Sequence, residues 1–254
     1  MWKVVRRSVP PIMPNCMLMH EQTMEPTIEF TDIGQTEYRK AWDYQEEQHQ
    51  RILGYRDKGD PQLPEGNLIF CEHPHVFTLG KSGQINNLLI NEDFLRNINA
   101  TYYKSDRGGD ITYHGPGQIV GYPIFDLERM KIGVKEYVHR LESAIIFTLS
   151  EFGIEAGRLL GATGVWLDTG TASARKICAI GVRVSRAVTM HGFALNVNTD
   201  LKYFSYINPC GFLDKGVTSM EKEKGMPVNF EEVKEKLRMM LAEVFSLQVV
   251  GQAR

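Results

Sequence analysis

Two side chains in the sequence, a cysteine thiol and a lysine amine, have the chemistry for nucleophilic catalysis. Cys210 stands between Pro209 and Gly211. Proline keeps the backbone before it away from helix, and glycine relieves crowding after it, so we expect the thiol in an accessible loop. A free cysteine titrates near ~8.5, and a nearby cation favours its reactive thiolate. The alternative is an incidental loop cysteine that takes no part in chemistry.

Lys176 is the cation that could activate such a thiol. It begins a segment, residues 177–182, whose two alternating faces are both apolar, as in a buried strand. A partly desolvated amine beside a thiol could favour the thiolate or accept its proton. The alternative is a lysine whose side chain simply reaches from the end of the strand into solvent.

A glycine-rich segment, Arg107–Gln118, could form the wall of a binding site. It holds four glycines, one proline, an arginine and a histidine between two apolar runs. Without a Cβ, glycine lets backbone N–H groups approach a ligand closely. By itself this composition is equally typical of a glycine-rich hairpin without chemistry.

The other cysteines and the histidines form no comparable pattern. Cys71 and Cys178 lie within apolar strands and are predicted to be small buried side chains. Four of the seven histidines could suggest a metal site, and they fall in three separate segments: His73, His75, His114 and His191. Because no acid or cysteine recurs beside them at metal-ligand spacing, we expect no metal site. His114 and His191 are instead expected to line a pocket or to satisfy backbone groups.

Composition places the chain among ordinary globular proteins, with 254 residues, 43% of them hydrophobic and 24% charged. A net charge of -2 gives no argument for a nucleic-acid or membrane partner, and no apolar run is long enough to span a bilayer. The four cysteines include no CxxC pair. This spacing argues against a disulfide scaffold or a zinc site and fits a reducing cytoplasm.

The elements that must position these residues follow a mixed order. Strand patterns occur at residues 28–32, 67–71, 76–79, 118–125, 164–168, 175–184, 188–197 and 247–250. Helix patterns occur at 36–53, 91–96, 134–152 and 230–245, with a short helical turn at 200–206. We expect 76–79 to resume the strand of 67–71, and 247–250 to close a small sheet. Segments 175–184 and 188–197 are expected to pair as a hairpin. This order predicts an α+β fold around a largely mixed or antiparallel sheet.

The first 27 residues differ from the rest of the chain. Four prolines interrupt any regular element, and the basic side chains all precede the first acid, Glu21. We expect a disordered tail over 1–27, or an over-early start codon. A targeting peptide is the alternative, which the scarcity of serine and the lack of an amphipathic pattern disfavour.

Five segments, taken together and in chain order, resemble the lipoyl (octanoyl) transferases. They are Glu72–Gly80, Arg107–Gln118 followed by Tyr122, Lys176–Arg183, His191–Asn196 and Ile207–Gly211. The resemblance runs from about Ile28 to the C-terminus, which we interpret as a single catalytic domain over 28–254. It implies the fold shared by biotin and lipoate protein ligases, a mixed sheet flanked by helices plus a smaller sheet.

The resemblance also implies a reaction and its partners. The donor would be octanoyl-acyl carrier protein, and the acceptor a lysine on the lipoyl domains of 2-oxoacid dehydrogenases or on the glycine cleavage H protein. Cys210 would be the acyl-thioester nucleophile and Lys176 its activating partner. Because a thioester is already activated, neither ATP, metal nor another cofactor would be needed. The implied acyl-binding residues are Arg107, Gly108, Gly109, Asp110, Ile111, Thr112, Tyr113, His114, Ala179, Ile180, Gly181, Gly192, Phe193 and Ala194.

Three other functions stay open. An ATP-dependent lipoate or biotin ligase forms an acyl-adenylate and needs no nucleophilic cysteine, so the cysteine favours the transferase. An amidotransferase that moves octanoyl between lipoyl proteins would use the same cysteine and lysine. A non-catalytic acyl-protein binding module would need neither. Separately, the turn at 169–174 could shift the next strand so that Arg175, rather than Lys176, faces Cys210.

Overall fold

The helices and strands are those of a computed structural model that describes residues 26–59, 63–208 and 215–251. The strands are β1 (Thr27–Gln35), β2 (Gly66–Glu72), β3 (Val76–Leu79), β4 (Thr101–Lys104), β5 (Ile111–His114), β6 (Gln118–Phe125), β7 (Gly157–Leu159), β8 (Ala162–Leu167), β9 (Arg175–Ser185), β10 (Val188–Asn196), β11 (Gly216–Val217) and β12 (Gln248–Val250). The α-helices are α1 (Tyr38–Lys58), α2 (Glu92–Asn97), α3 (Val134–Glu151), α4 (Met220–Lys224) and α5 (Phe230–Phe245). Short 3-10 helices cover Ile85–Asn87 and Leu201–Tyr206. The tail expected over 1–27 falls on residues 1–25, which lie outside the described residues, while Thr27 already opens β1.

The strands form one large and one small sheet. The large sheet has the order β12-β1-β2-β6-β10-β9-β8-β7, with β11 beside β9, and the small sheet has the order β4-β3-β5. Pairing is antiparallel from β2 through to β7 and parallel where β1 meets β12 and β2. The sequence-based expectation of an α+β fold with a mixed sheet and a smaller one is confirmed.

Alternation along β6 shows how the large sheet separates two cores. Val120, Tyr122 and Ile124 face α1 and contribute to one buried cluster. Ile119 and Phe125 point to the opposite face, into the larger cluster that also contains the apolar sides of α3 and α5. Successive side chains of a strand point to opposite faces, so an uninterrupted apolar run here predicts a strand covered on both sides.

The helix ends follow local signals in the sequence. Asn91 and Asn229 cap α2 and α5, each accepting a backbone N–H from three residues further on. The first helix was expected to end near residue 53 but continues to Lys58, where Gly59 closes it in the left-handed conformation at φ 63. None of the described helices has a stretch that is both long and apolar enough to cross a membrane.

Two strand expectations from the sequence are wrong, and some short strands were not predicted. The segment 76–79 does not resume β2, because the chain leaves the large sheet after Glu72 and β3 belongs to the small one. β12 does not close a small sheet but pairs with β1 at the edge of the large sheet. The glycine-rich segment contains a strand that was not predicted, since its residues 111–114 form β5 against β3. The three-residue strand β7 was not predicted.

Candidate active site

A cavity of about 390 Å³ lies where the small sheet meets the large one. Its walls come from β5 and the turn before it, and from β6, β8, β9, β10 and β11. Lys176 lines it, and so do all the acyl-binding residues implied by the sequence except Gly108 and Tyr113. The site segments separated in sequence therefore surround one enclosed space of a size suited to a small ligand.

The hairpin of β9 and β10 brings two of these segments side by side. Ala179 pairs with Ala194, and Gly181 with Gly192, in antiparallel register. Gly181 lies so close to the glycine-rich turn that an added Cβ would be 2.8 Å from the carbonyl oxygen of Gly108. The backbone N–H of Gly108 also donates to the carbonyl of Val182 at 2.9 Å. The absent Cβ is thus what lets the turn rest directly on the strand.

Arg107 holds the glycine-rich turn against the small sheet. Its Nη2 donates to the carbonyl oxygens of Thr78 at 2.6 Å and Asp110 at 2.8 Å, and its Nε donates to the Thr78 hydroxyl at 3.2 Å. The residue is buried, at 8% exposure. Its guanidinium therefore shapes the wall by binding backbone groups on both sides of the turn.

Lys176 is the second residue of β9, and its side chain extends to the cavity. Its Nζ lies 4.6 Å from the ring centroid of Trp166 on the neighbouring strand β8. Arg175 points elsewhere, since its Nε and Nη2 donate to the Glu223 carboxylate at 2.7 and 2.6 Å and it also binds Asp168. The hydrogen bonds that Arg175 donates to Glu223 and Asp168 raise the pKa of Arg175. Lys176, not Arg175, therefore faces the cavity.

A chain of hydrogen bonds connects the glycine-rich segment to the backbone of Lys176. His114 Nδ1–H donates to Gln118 Oε1 at 2.8 Å, and Gln118 Nε2 donates to Asn196 Oδ1 at 2.8 Å. Asn196 Nδ2 donates to the Thr218 carbonyl at 2.9 Å, and the Thr218 N–H donates to the Lys176 carbonyl at 2.9 Å. We call these links the amide chain.

The amide chain fixes the chemical state of His114. Because Gln118 Nε2 also donates to the Tyr113 carbonyl at 3.3 Å, its Oε1 is the acceptor, so the His114 proton is assigned to Nδ1. Burial, followed by the charges of His73 and Arg107, holds the pKa of His114 well below its usual value. The imidazole is therefore neutral at neutral pH and its role is structural rather than acidic.

His191 anchors the other end of the cavity wall. Its backbone has φ 58, unusual for a residue with a Cβ, and its N–H donates to Gln45 Oε1 at 2.9 Å. Its Nε2 lies 2.7 Å from Asp106, which also pairs with Arg183 at 2.7 Å. Burial lowers the pKa of His191 despite Asp106, so the neutral ring donates Nε2–H to the carboxylate. The expectation that His191 lines a pocket is confirmed.

Two predicted binding residues lie away from the cavity. Tyr113 is fully buried in the small-sheet core, where its ring stacks on Tyr203 at 4.8 Å and its hydroxyl lies 2.7 Å from His75 Nδ1. Gly108 contacts Val182 on β9, behind the cavity-lining Gly109. Both stabilise the wall from outside.

Cys210 lies outside the described residues, within the segment 209–214. The residue before that segment connects to the cavity wall through Asn87, whose Nδ2 donates to Oδ2 of the cavity-lining Asp110 at 2.6 Å. Asn208 N–H donates to the Asn87 carbonyl at 2.8 Å. On the other side Lys215 and Gly216 line the cavity, and Val217 pairs with Lys176 in the β11–β9 ladder.

Cys71 and Cys178 are both buried, as the sequence predicted. Burial raises the pKa of each thiol, so neither is a thiolate at neutral pH. Across the described parts of the chain, no three His, Cys, Asp or Glu side chains are grouped so that they could hold a metal ion.

Sequence reasoning missed Gln118, Asn196 and Trp166, which all line the cavity. Gln118 and Asn196 each end a segment already singled out, which was the available signal. Trp166 lies in an apolar strand pattern and gave no sign of contact with a lysine.

Comparison with known proteins assigns this fold and cavity to a family. The lipoyl protein ligase A/B catalytic domain matches residues 37–242. The octanoyltransferase of Bacteroides fragilis (strain YCH46) is 56% identical over 217 residues, which cover 85% of this chain and 97% of that protein. The octanoyltransferase of Flavobacterium johnsoniae is 53% identical over 232 residues, which cover 89% of this chain and 100% of that protein.

Two lipoate ligases are among the solved structures with a similar fold. A bipartite lipoate protein ligase from Thermoplasma acidophilum superposes with a TM-score of 0.67 at 16% identity, over 91% of this chain and 88% of that one. Lipoate-protein ligase A bound with ATP superposes with a TM-score of 0.65 at 15% identity, over 91% and 90%. The family match over residues 37–242 defines the chain as a lipoyl protein ligase A/B catalytic domain. Within that class the chain belongs to the octanoyltransferase family, and it is an acyltransferase enzyme.

Proposed function

We propose that the chain transfers an octanoyl group from octanoyl-acyl carrier protein to a lysine of a lipoyl domain, through a thioester on Cys210. The observation that carries this proposal is the position of Lys176, which points into an enclosed cavity beside β11, the strand that follows the cysteine segment. Relatives at 56% and 53% identity bear the name octanoyltransferase. Residues 28–254 act as one catalytic domain in this proposal.

The first half-reaction acylates the enzyme. The Lys176 amine accepts the thiol proton, and the Cys210 thiolate attacks the octanoyl carbonyl. The new carbon–sulfur bond forms as the bond to the pantetheine sulfur breaks. The departing thiolate takes the proton back from the Lys176 ammonium, which leaves octanoyl-Cys210 and free carrier-protein thiol.

The second half-reaction moves the octanoyl group to the acceptor. The neutral amine of the lipoyl-domain lysine attacks the thioester carbonyl, and the Cys210 sulfur leaves. The amine loses one proton to the Lys176 amine, which returns it to the sulfur. An amide is formed and the free thiol is restored. We expect lipoyl domains of 2-oxoacid dehydrogenases and the glycine cleavage H protein as acceptors, in a reducing cytoplasm.

Each tetrahedral intermediate carries an oxyanion that backbone N–H groups would stabilise. Two amides of the glycine-rich segment are already engaged, since Gly108 donates to Val182 and Gly117 donates to Glu72 Oε2 at 2.8 Å. We therefore place the oxyanion donors around Cys210 and not at those two glycines.

The acyl chain would occupy the apolar part of the cavity, beside Ile111, Val120, Ile180 and Phe193. Burial contributes roughly 0.8 kcal/mol per methylene, which is about fourfold in binding for each carbon added or removed. The cavity would thus prefer the eight-carbon chain over shorter ones by graded factors and would not exclude its neighbours completely.

Intact-protein mass spectrometry after incubation with octanoyl-acyl carrier protein tests the proposal. One octanoyl adduct, mapped to Cys210 and absent from Cys210→Ala, is expected. Cys71→Ala is the matched control, because that thiol is buried and should leave the adduct intact. An adduct that persists in Cys210→Ala would refute the covalent route.

Three further measurements separate the alternatives. Pyrophosphate release from ATP with free octanoate would identify a ligase. Faster acylation by an octanoylated lipoyl protein than by octanoyl-acyl carrier protein would identify an amidotransferase. Tight carrier-protein binding that is unaffected by Cys210→Ser, without transfer, would identify a binding module.

A further inference from the structure

The indole of Trp166 contacts the amine of Lys176 across two paired strands. Trp166 and Lys176 are direct partners in the β8–β9 ladder, and the Lys176 Nζ lies 4.6 Å from the ring centroid. Both residues line the cavity. A cation within about 6 Å of an aromatic centroid is attracted by the negative face of the ring, most strongly for tryptophan.

The indole is held in a fixed position. Trp166 is 2% exposed, and its Nε1–H donates to the Ala162 carbonyl at 3.0 Å. That bond leaves the ring face, rather than the polar edge, to meet the amine. A side chain locked by packing and a hydrogen bond loses little further entropy when it binds a ligand or a cation.

The aliphatic part of the Lys176 side chain passes Gly164, where no side chain obstructs it. This glycine has φ 119, and a Cβ there would be 2.6 Å from the Cys178 carbonyl oxygen and 3.6 Å from Lys176 Cε. The Gly164 N–H donates to Glu142 Oε1 at 3.1 Å, and Arg158 binds the other oxygen of that carboxylate at 2.8 Å. The strand that carries Trp166 is therefore anchored to α3 at the point where the stem crosses it.

We propose that Trp166 is a positioning residue for Lys176. The ring face of Trp166 holds the Lys176 amine in the cavity and favours the ammonium form when the amine receives the thiol proton. The inference deepens the proposed function, on which the catalytic part of it rests. In this proposal Trp166 contacts neither the acyl carbonyl nor the thiol, and it acts on both through Lys176. An ammonium ion gains from the ring quadrupole and a neutral amine does not, so the contact favours the thiolate–ammonium pair over the neutral pair.

Fluorinated tryptophans, introduced at position 166 alone in the full chain, test this without changing the shape of the side chain. Each added fluorine weakens the negative face of the ring and leaves its packing almost unchanged. The matched control is the same replacement at Trp42, whose indole contacts Arg39 at 5.4 Å and His191, not Lys176.

The first readout is the reactivity of individual lysine amines toward acetic anhydride at pH 8, followed by peptide mass spectrometry. We expect acetylation of Lys176 to become faster stepwise with fluorine number at position 166, by about three- to tenfold at full fluorination, because more of the amine is neutral. Lysines elsewhere in the chain should be unaffected. No trend at position 166, or an equal trend at Trp42, overturns the contact.

The second readout is the pH–rate profile of octanoyl-adduct formation. We expect its alkaline limb, where the Lys176 ammonium loses its proton, to move to lower pH by about half a unit in the fully fluorinated protein, because the weaker ring face stabilises the ammonium less. Trp166→Phe should lie between the native protein and Trp166→Leu. If Lys176 labelling responds but the alkaline limb does not move, the role in proton transfer is wrong.

The two proposals can fail separately. Acetylation needs no octanoyl donor, so it tests the Trp166–Lys176 contact even in a protein that forms no thioester. If the native chain forms no octanoyl adduct, the proposed function fails, and the catalytic part of this inference fails with it. If the native chain forms the adduct but fluorination changes neither readout, only the role of Trp166 is overturned.

Discussion

Replacing Asn196 with alanine would break the amide chain at its centre. Asn196 is 3% exposed, accepts from Gln118 Nε2 at 2.8 Å and donates to the Thr218 carbonyl at 2.9 Å. An unsatisfied buried polar group costs about 1–3 kcal/mol. Because Asn196 borders the cavity, water could replace one of the two bonds. We therefore expect Asn196→Ala to lower the free energy of unfolding by about 2 kcal/mol and Tm by about 4–8 °C.

The same change should slow acylation. Thr218 links the amide chain to the Lys176 carbonyl, so losing its partner loosens β11 against β9. We expect the rate of octanoyl-adduct formation to fall about tenfold, since small displacements of a catalytic group are costly. Both quantities are measured on one preparation, the stability by urea unfolding and the rate by quenched mass spectrometry.

Asn198→Ala is the matched control for this prediction. Asn198 also makes two bonds, donating to the Val228 carbonyl at 2.8 Å and accepting the Val228 N–H at 2.9 Å, and neither bond leads to Lys176. It should lose comparable stability with an unchanged acylation rate. Equal rates in the two variants would refute the argument that the amide chain positions Lys176.

Three further perturbations follow from the geometry. Gly181→Ala should raise KM for the octanoyl donor about tenfold, because the new Cβ would lie 2.8 Å from the Gly108 carbonyl oxygen and displace the glycine-rich turn. An unchanged KM in a variant with a native circular dichroism spectrum would contradict this. Lys176→Ala should slow adduct formation by about 100-fold or more, whereas Arg175→Ala should lose stability but keep the rate of adduct formation. If Arg175→Ala instead slows adduct formation and Lys176→Ala does not, Arg175 is the residue that activates the thiol. Burial lowers the pKa of His73 to about 4, below the value near 6.5 of an unfolded chain, so the unfolded state binds a proton first as pH falls. Stability should therefore drop by up to about 3 kcal/mol between pH 6.5 and 4, and urea unfolding at pH 7 and 4.5 should show a smaller drop in His73→Gln.

The longer elements were predictable because their signals are local. The period of α3 and α5 and the cap at Asn229 depend on residues within one helix. The choice of sheet does not depend on local residues, which explains the errors on β3 and β12. Each has the composition of a strand, but its partner is decided by the path of the chain after Glu72 or at the far terminus. β11, with two residues, and β7, with three, were missed because each contains a glycine and lacks the apolar run that marks β12.

The candidate site was predictable where residue type alone carries the chemistry. A lysine at the end of an apolar strand and glycines between strands are visible in one dimension, and the structure places Lys176 and Gly181 at one cavity. Gln118 and Asn196 were missed because a buried amide has no sequence signature of its own: its role depends on which donors and acceptors tertiary folding brings to it. Trp166 was missed for a related reason, since an aromatic residue in a strand is ordinarily a core residue.

The direction of the amide chain explains why the glycine-rich segment and Lys176 must fold as one unit. From His114 through Gln118 and Asn196 to Thr218, every link donates toward the Lys176 carbonyl. An amide side chain has one donating and one accepting end. Turning the amide of Gln118 or Asn196 around would therefore place a donor against a donor, or an acceptor against an acceptor. A neutral His114, whose pKa burial holds low, donates at Nδ1 and can accept from the Thr78 hydroxyl at its other nitrogen. Protonation of His114 would turn this accepting nitrogen into a donor. The burial that keeps His114 neutral therefore also fixes the direction of the hydrogen bonds that lead to Lys176.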